Sequence, residues 1–197
     1  MKKIMFSDKF GLTKAVLEGR KTMTRRIVNF DRVPTLIPGR IAECCLKYAP
    51  YKVGEVVAVA QSYMDAGYDP HMLQFIDIKE PTILPFSDGL PVLGYVEAPI
   101  MYHAGWKNKM FVHPTMMPHQ IRITNIKVER LQDISDEDCL NEGVFLGQFH
   151  TYSYVGRPRC PFNTPRDAFA SLIDRISGKG TWASNPWVFV YEFELVK

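Results

Sequence analysis

Residues 19–26 read Gly-Arg-Lys-Thr-Met-Thr-Arg-Arg, and two of them, Lys21 and Thr24, are types that together can open an acyl bond. A threonine hydroxyl becomes a nucleophile only when a base removes its proton, and a lysine acts as that base only with a lowered pKa. Burial and neighbouring cations both disfavour the ammonium form, and Arg20, Arg25 and Arg26 crowd Lys21 in sequence. A carboxylic acid from elsewhere in the chain would complete a site able to hydrolyse an amide. The same octapeptide also suits a solvated basic turn, or a phosphate contact in which Thr22 and Thr24 simply fit a strand. Geometry adds a condition. In a flat strand, residues three apart point to opposite faces, so Lys21 and Thr24 meet only if the chain turns or bulges between them.

The elements that must position these groups are marked by local signals. Leu12, Ala15 and Val16 recur at helical spacing over residues 8–18, with Ser7 or Asp8 available as N-cap. Gly19 stands where a left-handed residue would end that helix, and Met23, Ile27 and Val28 then suit a strand. Residues 53–60 read as a buried strand after a turn. From 61 to 118 prolines break the signal into short apolar pieces such as 91–96, as expected of an elaborated insertion with two short strands. At 120–131 the alternation Ile121/Ile123 changes phase to Ile126/Val128, which predicts a bulge near Thr124–Asn125. Ser135-Asp136-Glu137-Asp138 opens a short helix that ends at Glu142-Gly143. Thr164-Pro165-Arg166-Asp167 opens a longer one with Ala168, Phe169, Leu172, Ile173 and Ile176 on one face and Gly178 as its close. Alternating aromatics from Trp187 to Phe193 predict a final strand with one face buried.

The chain of 197 residues is long enough for one domain with a real core, here with insertions at about 61–118 and 145–163. No apolar run approaches a membrane span, and the opening MKKIMFSDKF lacks the apolar core of a signal peptide, so a cytoplasmic protein with no membrane partner is expected. Cys44, Cys45, Cys139 and Cys160 form no Cys-x-x-Cys pair, and the five histidines lack metal-ligand spacing. No metal or cofactor is expected. Residues 14–40 hold seven cations against Glu18 and Asp31, a local field that favours an anionic partner or else a solvated basic face. There is no βαβ rhythm, Gly-x-Gly-x-x-Gly or P-loop. Short, bulged strands in excess predict an α+β fold: a small mixed β-barrel closed by its last strand, with appended helices.

The pattern Leu17-x-Gly19-Arg20-Lys21-Thr22-x-Thr24-x-Arg26 occurs with a strand ending near Leu131, an acidic helix with Glu142 and an aromatic last strand. Together these resemble the ASCH family of the PUA-like superfamily of small β-barrels. Stretches 20–26, 129–134 and 185–188 are similar to those of its longer phage and mobile-element members, over most of the chain. Over about 19–28, 121–142 and the last strand it is similar to the compact bacterial ASCH amidohydrolases of N4-acetylcytidine. That resemblance implies Lys21, Thr24 and Glu142 as a catalytic set. The PUA-like likeness implies a cleft for RNA or a modified nucleoside, with arginines for phosphate and aromatics for base stacking. Arg20, Arg25, Arg26, Tyr154, Arg157 and Trp182 are the candidates to bind, each aromatic suiting a core position equally well. A non-catalytic RNA- or DNA-binding module, or a ribonuclease using the same cleft, would be built from the same residues.

Overall fold

The computed structural model describes residues 1–82, 92–156 and 162–196. In chain order its elements are β1 (Lys3–Ile4), α1 (Leu12–Leu17), β2 (Met23–Ile27), α2 (Ile41–Lys47), β3 (Val56–Val59), β4 (Leu73–Thr82), β5 (Val92–Pro99), β6 (Gln120–Arg130), α3 (Asp136–Asn141), β7 (Phe145–Leu146), β8 (Tyr152–Ser153), α4 (Pro165–Ser177), α5 (Thr181–Ser184) and β9 (Trp187–Leu195). They form two compact units, Met1–Val59 with His119–Lys197, and Ala60–Pro118.

The first unit is α+β. Its sheet has the order β1-β3-β6-β9-β2, with β1 and β3 parallel and the other pairs antiparallel. The phase change in β6 is a register shift between Ile123 and Asn125, which lets both Ile123 and Ile126 pair with β9 residues of the right face. The barrel expected from the sequence does not close. Among the described residues no backbone pairing joins β1 to β2, because β1 offers only two residues and spends them on β3. A side chain reaches across instead: Arg26 Nη2 on β2 donates to the carbonyl of Met5, just after β1.

Helix boundaries follow the local chemistry. The Ser135 hydroxyl accepts the Asp138 N–H and starts α3; the Thr164 hydroxyl accepts the Asp167 N–H, with Pro165 next, and starts α4. Ala168, Phe169, Leu172 and Ile173 are buried on one face of α4 and join a core cluster with Val16, Cys45, Ile121, Ile123 and Val190. Each large apolar side chain so buried contributes about 1.5–3 kcal/mol relative to exposure. β9 has the buried aromatic face expected of it, and its other face is covered as well. Val188 and Val190 are as enclosed as Phe189 and Tyr191, so both faces are covered until the strand reaches solvent at Glu194.

The second unit is built on the antiparallel pair β4–β5, longer than the two short strands expected, and on a series of 3-10 turns around Ile100 and Val112. Two of its histidines have turn-capping roles. His103 Nδ1 accepts the Gly105 N–H at 2.8 Å, and His113 Nδ1 accepts that of Thr115. Part of the apolar piece at 91–96, and Cys160, lie outside the described residues.

Candidate active site at the end of the first helix

The end of α1 sets the position of Lys21. Gly19 takes φ 71°, its N–H donates to the Val16 carbonyl at 3.0 Å, and the Arg20 N–H donates to that of Ala15 at 2.9 Å. This is the left-handed helix ending that glycine permits at least cost. The Lys21 N–H reaches the same Ala15 carbonyl at 3.0 Å, so the chain stays coiled against the helix for one more residue. β2 begins only at Met23. Lys21 therefore precedes the strand on which Thr24 sits, and the opposite-face rule for a flat strand does not govern the pair. Thr22 is held from both sides: its N–H donates to the Asn141 carbonyl at 3.1 Å, and its own carbonyl accepts the Phe193 N–H at 2.9 Å.

The link to Asn141 brings the end of α3 alongside. Lys21 Nζ donates to Glu142 Oε2 at 2.6 Å and to the Glu142 backbone carbonyl at 2.7 Å. Glu142 is the C-cap of α3, and Gly143 follows at φ 107°. A Cβ on Gly143 would stand 2.9 Å from Leu12 Cδ2, tighter than real contacts allow, and at an ordinary 3.8 Å from Lys21 Cδ, so glycine there clears the Leu12 side chain. Lys21 is 2% exposed and Thr24 4%. Burial lowers the pKa of Lys21 below its ordinary value of 10.5, and the charge and hydrogen bond of Glu142 oppose that shift only in part.

Thr24, Lys21 and Glu142 all line one cavity of about 280 Å³. Arg25 and Arg26 border it too, and α4 supplies an apolar wall of Phe169, Leu172, Ile173 and Ile176. Phe6 lies beneath the cations, its ring centre 5.9 Å from Lys21 Nζ and 5.7 Å from Arg26 Cζ. The three residues expected from the resemblance thus meet in one hollow.

The candidate binding residues fare differently. Arg25 is not available to a nucleic acid: Nη2 donates to Glu129 Oε1 at 2.7 Å and Asp138 Oδ2 at 2.6 Å, and Nη1 approaches Glu142 Oε1 at 3.3 Å. Lys127 adds contacts to Glu129 and Asp138 at 3.2 and 3.6 Å, so three cations face three carboxylates beneath the cavity. Arg20 is an exposed residue paired with Glu18. Tyr154 is a core residue, 1% exposed, edge-on to Phe10 and hydrogen-bonded to Ser171. Trp182 packs edge-on to Phe169 under the Arg166 guanidinium. Tyr154 offers no face for stacking a base, and half-buried Trp182 already carries the Arg166 guanidinium over its ring. Arg157 lies outside the described residues. Arg26 alone of the basic candidates combines a place in the cavity wall with freedom from any carboxylate among the described residues. Its burial lowers the guanidinium pKa.

Sequence reasoning missed Glu129 and Asp138 as the partners of Arg25. It also read the apolar face of α4 as core alone, although Phe169, Ile173 and Ile176 at i, i+4 and i+7 carried the signal for the wall. No family model, curated protein or solved structure matches the chain.

Proposed function

We propose that this is an ASCH-type protein of the PUA-like superfamily, its mixed sheet an opened form of that barrel, and that it hydrolyses an N-acyl amide on a nucleobase such as N4-acetylcytidine. The reading rests on one observation: Lys21, Thr24 and Glu142, drawn from a helix exit, a strand and a second helix end, line the same cavity. Buried ion pairs add little net stability compared with apolar packing, so ionic groups kept beneath a hollow favour a chemical role. At about 280 Å³ the hollow is at the lower edge of the roughly 300–1,000 Å³ usual for ligand sites, which suits one base or nucleoside better than a polymer.

In this mechanism Lys21, as the free amine, takes the proton of Thr24 Oγ1 while that oxygen attacks the acyl carbon. The tetrahedral intermediate expels the base amine, which receives the proton from Lys21, and the acyl group stays on Thr24 as an ester. Water, deprotonated by Lys21, then releases the carboxylate and restores Thr24. Glu142 orients the lysine throughout and balances its charge when protonated. The apolar wall of α4 fits the faces of a base.

The test is to incubate the protein with N4-acetylcytidine and follow cytidine and acetate. Thr24→Val keeps the side-chain shape and is expected to lower kcat by about 10²–10⁴-fold with unchanged melting. Absent turnover, or turnover indifferent to that change, refutes the hydrolase.

A further inference from the structure

A second, smaller cavity of about 110 Å³ adjoins the first along β2, and both are lined by Arg26 and Ile27. Arg32 also lines it, with Tyr48 and Phe189 among its apolar walls, and no acidic residue does. The sequence brings Arg32 back toward the strand by a tight turn. After the last ladder bond of β2, from the Val28 N–H to the Trp187 carbonyl, the Asn29 side chain accepts the Asp31 N–H and caps a 3-10 turn at Phe30–Arg32.

Two other arginines of this unit are already engaged. Arg25 spends Nη1 and Nη2 on carboxylates, and Arg166 spends Nη1 and Nη2 on the Ile134 and Gln132 carbonyls. Arg26 uses only Nη2, on Met5, and its other nitrogens are not among the buried polar atoms left without partners. They therefore keep access to the cavities. Arg32 makes no ion pair among the described residues. Arg32 is exposed; Arg26 is half-buried with no carboxylate bonded to it among the described residues, and such a guanidinium is costly to keep unless an anion visits it. The space, about 110 Å³, is large enough for a tetrahedral oxyanion.

We propose that Arg26 and Arg32 form a phosphate subsite, so that the molecule taken up is a phosphorylated nucleoside with its base in the larger cavity. This rests on reading the larger cavity as a nucleobase site. Arginine suits the role because its planar fork matches phosphate oxygens two at a time.

The experiment is calorimetric titration at low salt of wild type, Arg32→Gln and, as a charge control away from both cavities, Arg20→Gln. The probes are cytidine, cytidine 5′-monophosphate, inorganic phosphate and the trinucleotide CpCpC. The monophosphate is expected to bind on the order of 10- to 100-fold tighter than cytidine, as for charged hydrogen bonds. Arg32→Gln removes that gain without touching cytidine, and Arg20→Gln preserves it. Phosphate binding that Arg32→Gln abolishes upholds the subsite even where N4-acetylcytidine is not turned over, which separates it from the hydrolase reading. Equal affinity for cytidine and its monophosphate, or a gain unmoved by Arg32→Gln, overturns it. An Arg32→Gln loss confined to the trinucleotide also overturns it, since the phosphate would then belong to a strand.

Discussion

Lys21 and Arg25 stand four residues apart and share one carboxylate, yet they are tuned for opposite ends. Arg25 meets Glu129, Asp138 and Glu142 and keeps its charge in every state, so it fixes the carboxylates without reacting. Lys21 meets one carboxylate and one carbonyl, and burial pushes its pKa down from 10.5. The base form is the active one and grows as pH rises through that lowered value. The expected profile of kcat/KM for N4-acetylcytidine therefore climbs with pH to a plateau whose midpoint lies below 10.5; a flat or falling profile counts against Lys21 as base. Linkage has the same sign. The unfolded chain binds this proton more tightly, so between the folded value and 10.5 this residue's share of stability rises with pH. The residue types at 21 and 24 announce this chemistry in the sequence. The sequestering of Arg25 does not show there, because its partners lie 104, 113 and 117 positions away and no local pattern pairs them.

Elements were legible wherever one residue type answers a local backbone need. Gly19, Ser135, Thr164 and the phase change in β6 each mark a boundary or bulge that the fold contains. Gly143 was read only as a helix end, because its second duty, clearing the Leu12 side chain, is a tertiary matter. Gly143→Ala is expected to cost about 1–3 kcal/mol, from the positive φ and the clash together, seen as a lower urea midpoint with an unchanged slope. Full stability would show that Leu12 yields more freely than the 2.9 Å approach implies. The barrel closure was misread for a related reason: strand count was visible in sequence, whereas the two-residue length of β1 leaves β2, among the described residues, with no backbone partner on its outer edge.

At the scale of the whole molecule, the unit Ala60–Pro118 leaves and rejoins the first unit at neighbouring positions, for the Val59 N–H donates to the His119 carbonyl at 2.9 Å. A two-residue Asn-Gly turn can therefore replace it while keeping the β3–β6 register. The shortened chain is expected to melt cooperatively and to keep nucleoside turnover within about tenfold, because every residue lining the cavity lies in the first unit. Loss of cooperative melting on excision would show that the first unit leans on the second. The grip on Thr22 has its own consequence. Thr22 is fastened through its N–H to Asn141 and through its carbonyl to Phe193, so its neighbour Lys21 takes its post only after β9 has been made and docked. During translation, then, a ribosome-bound chain that lacks β9 carries the reactive residue types but no assembled chemistry, and the appearance of activity should coincide with the docking of that strand.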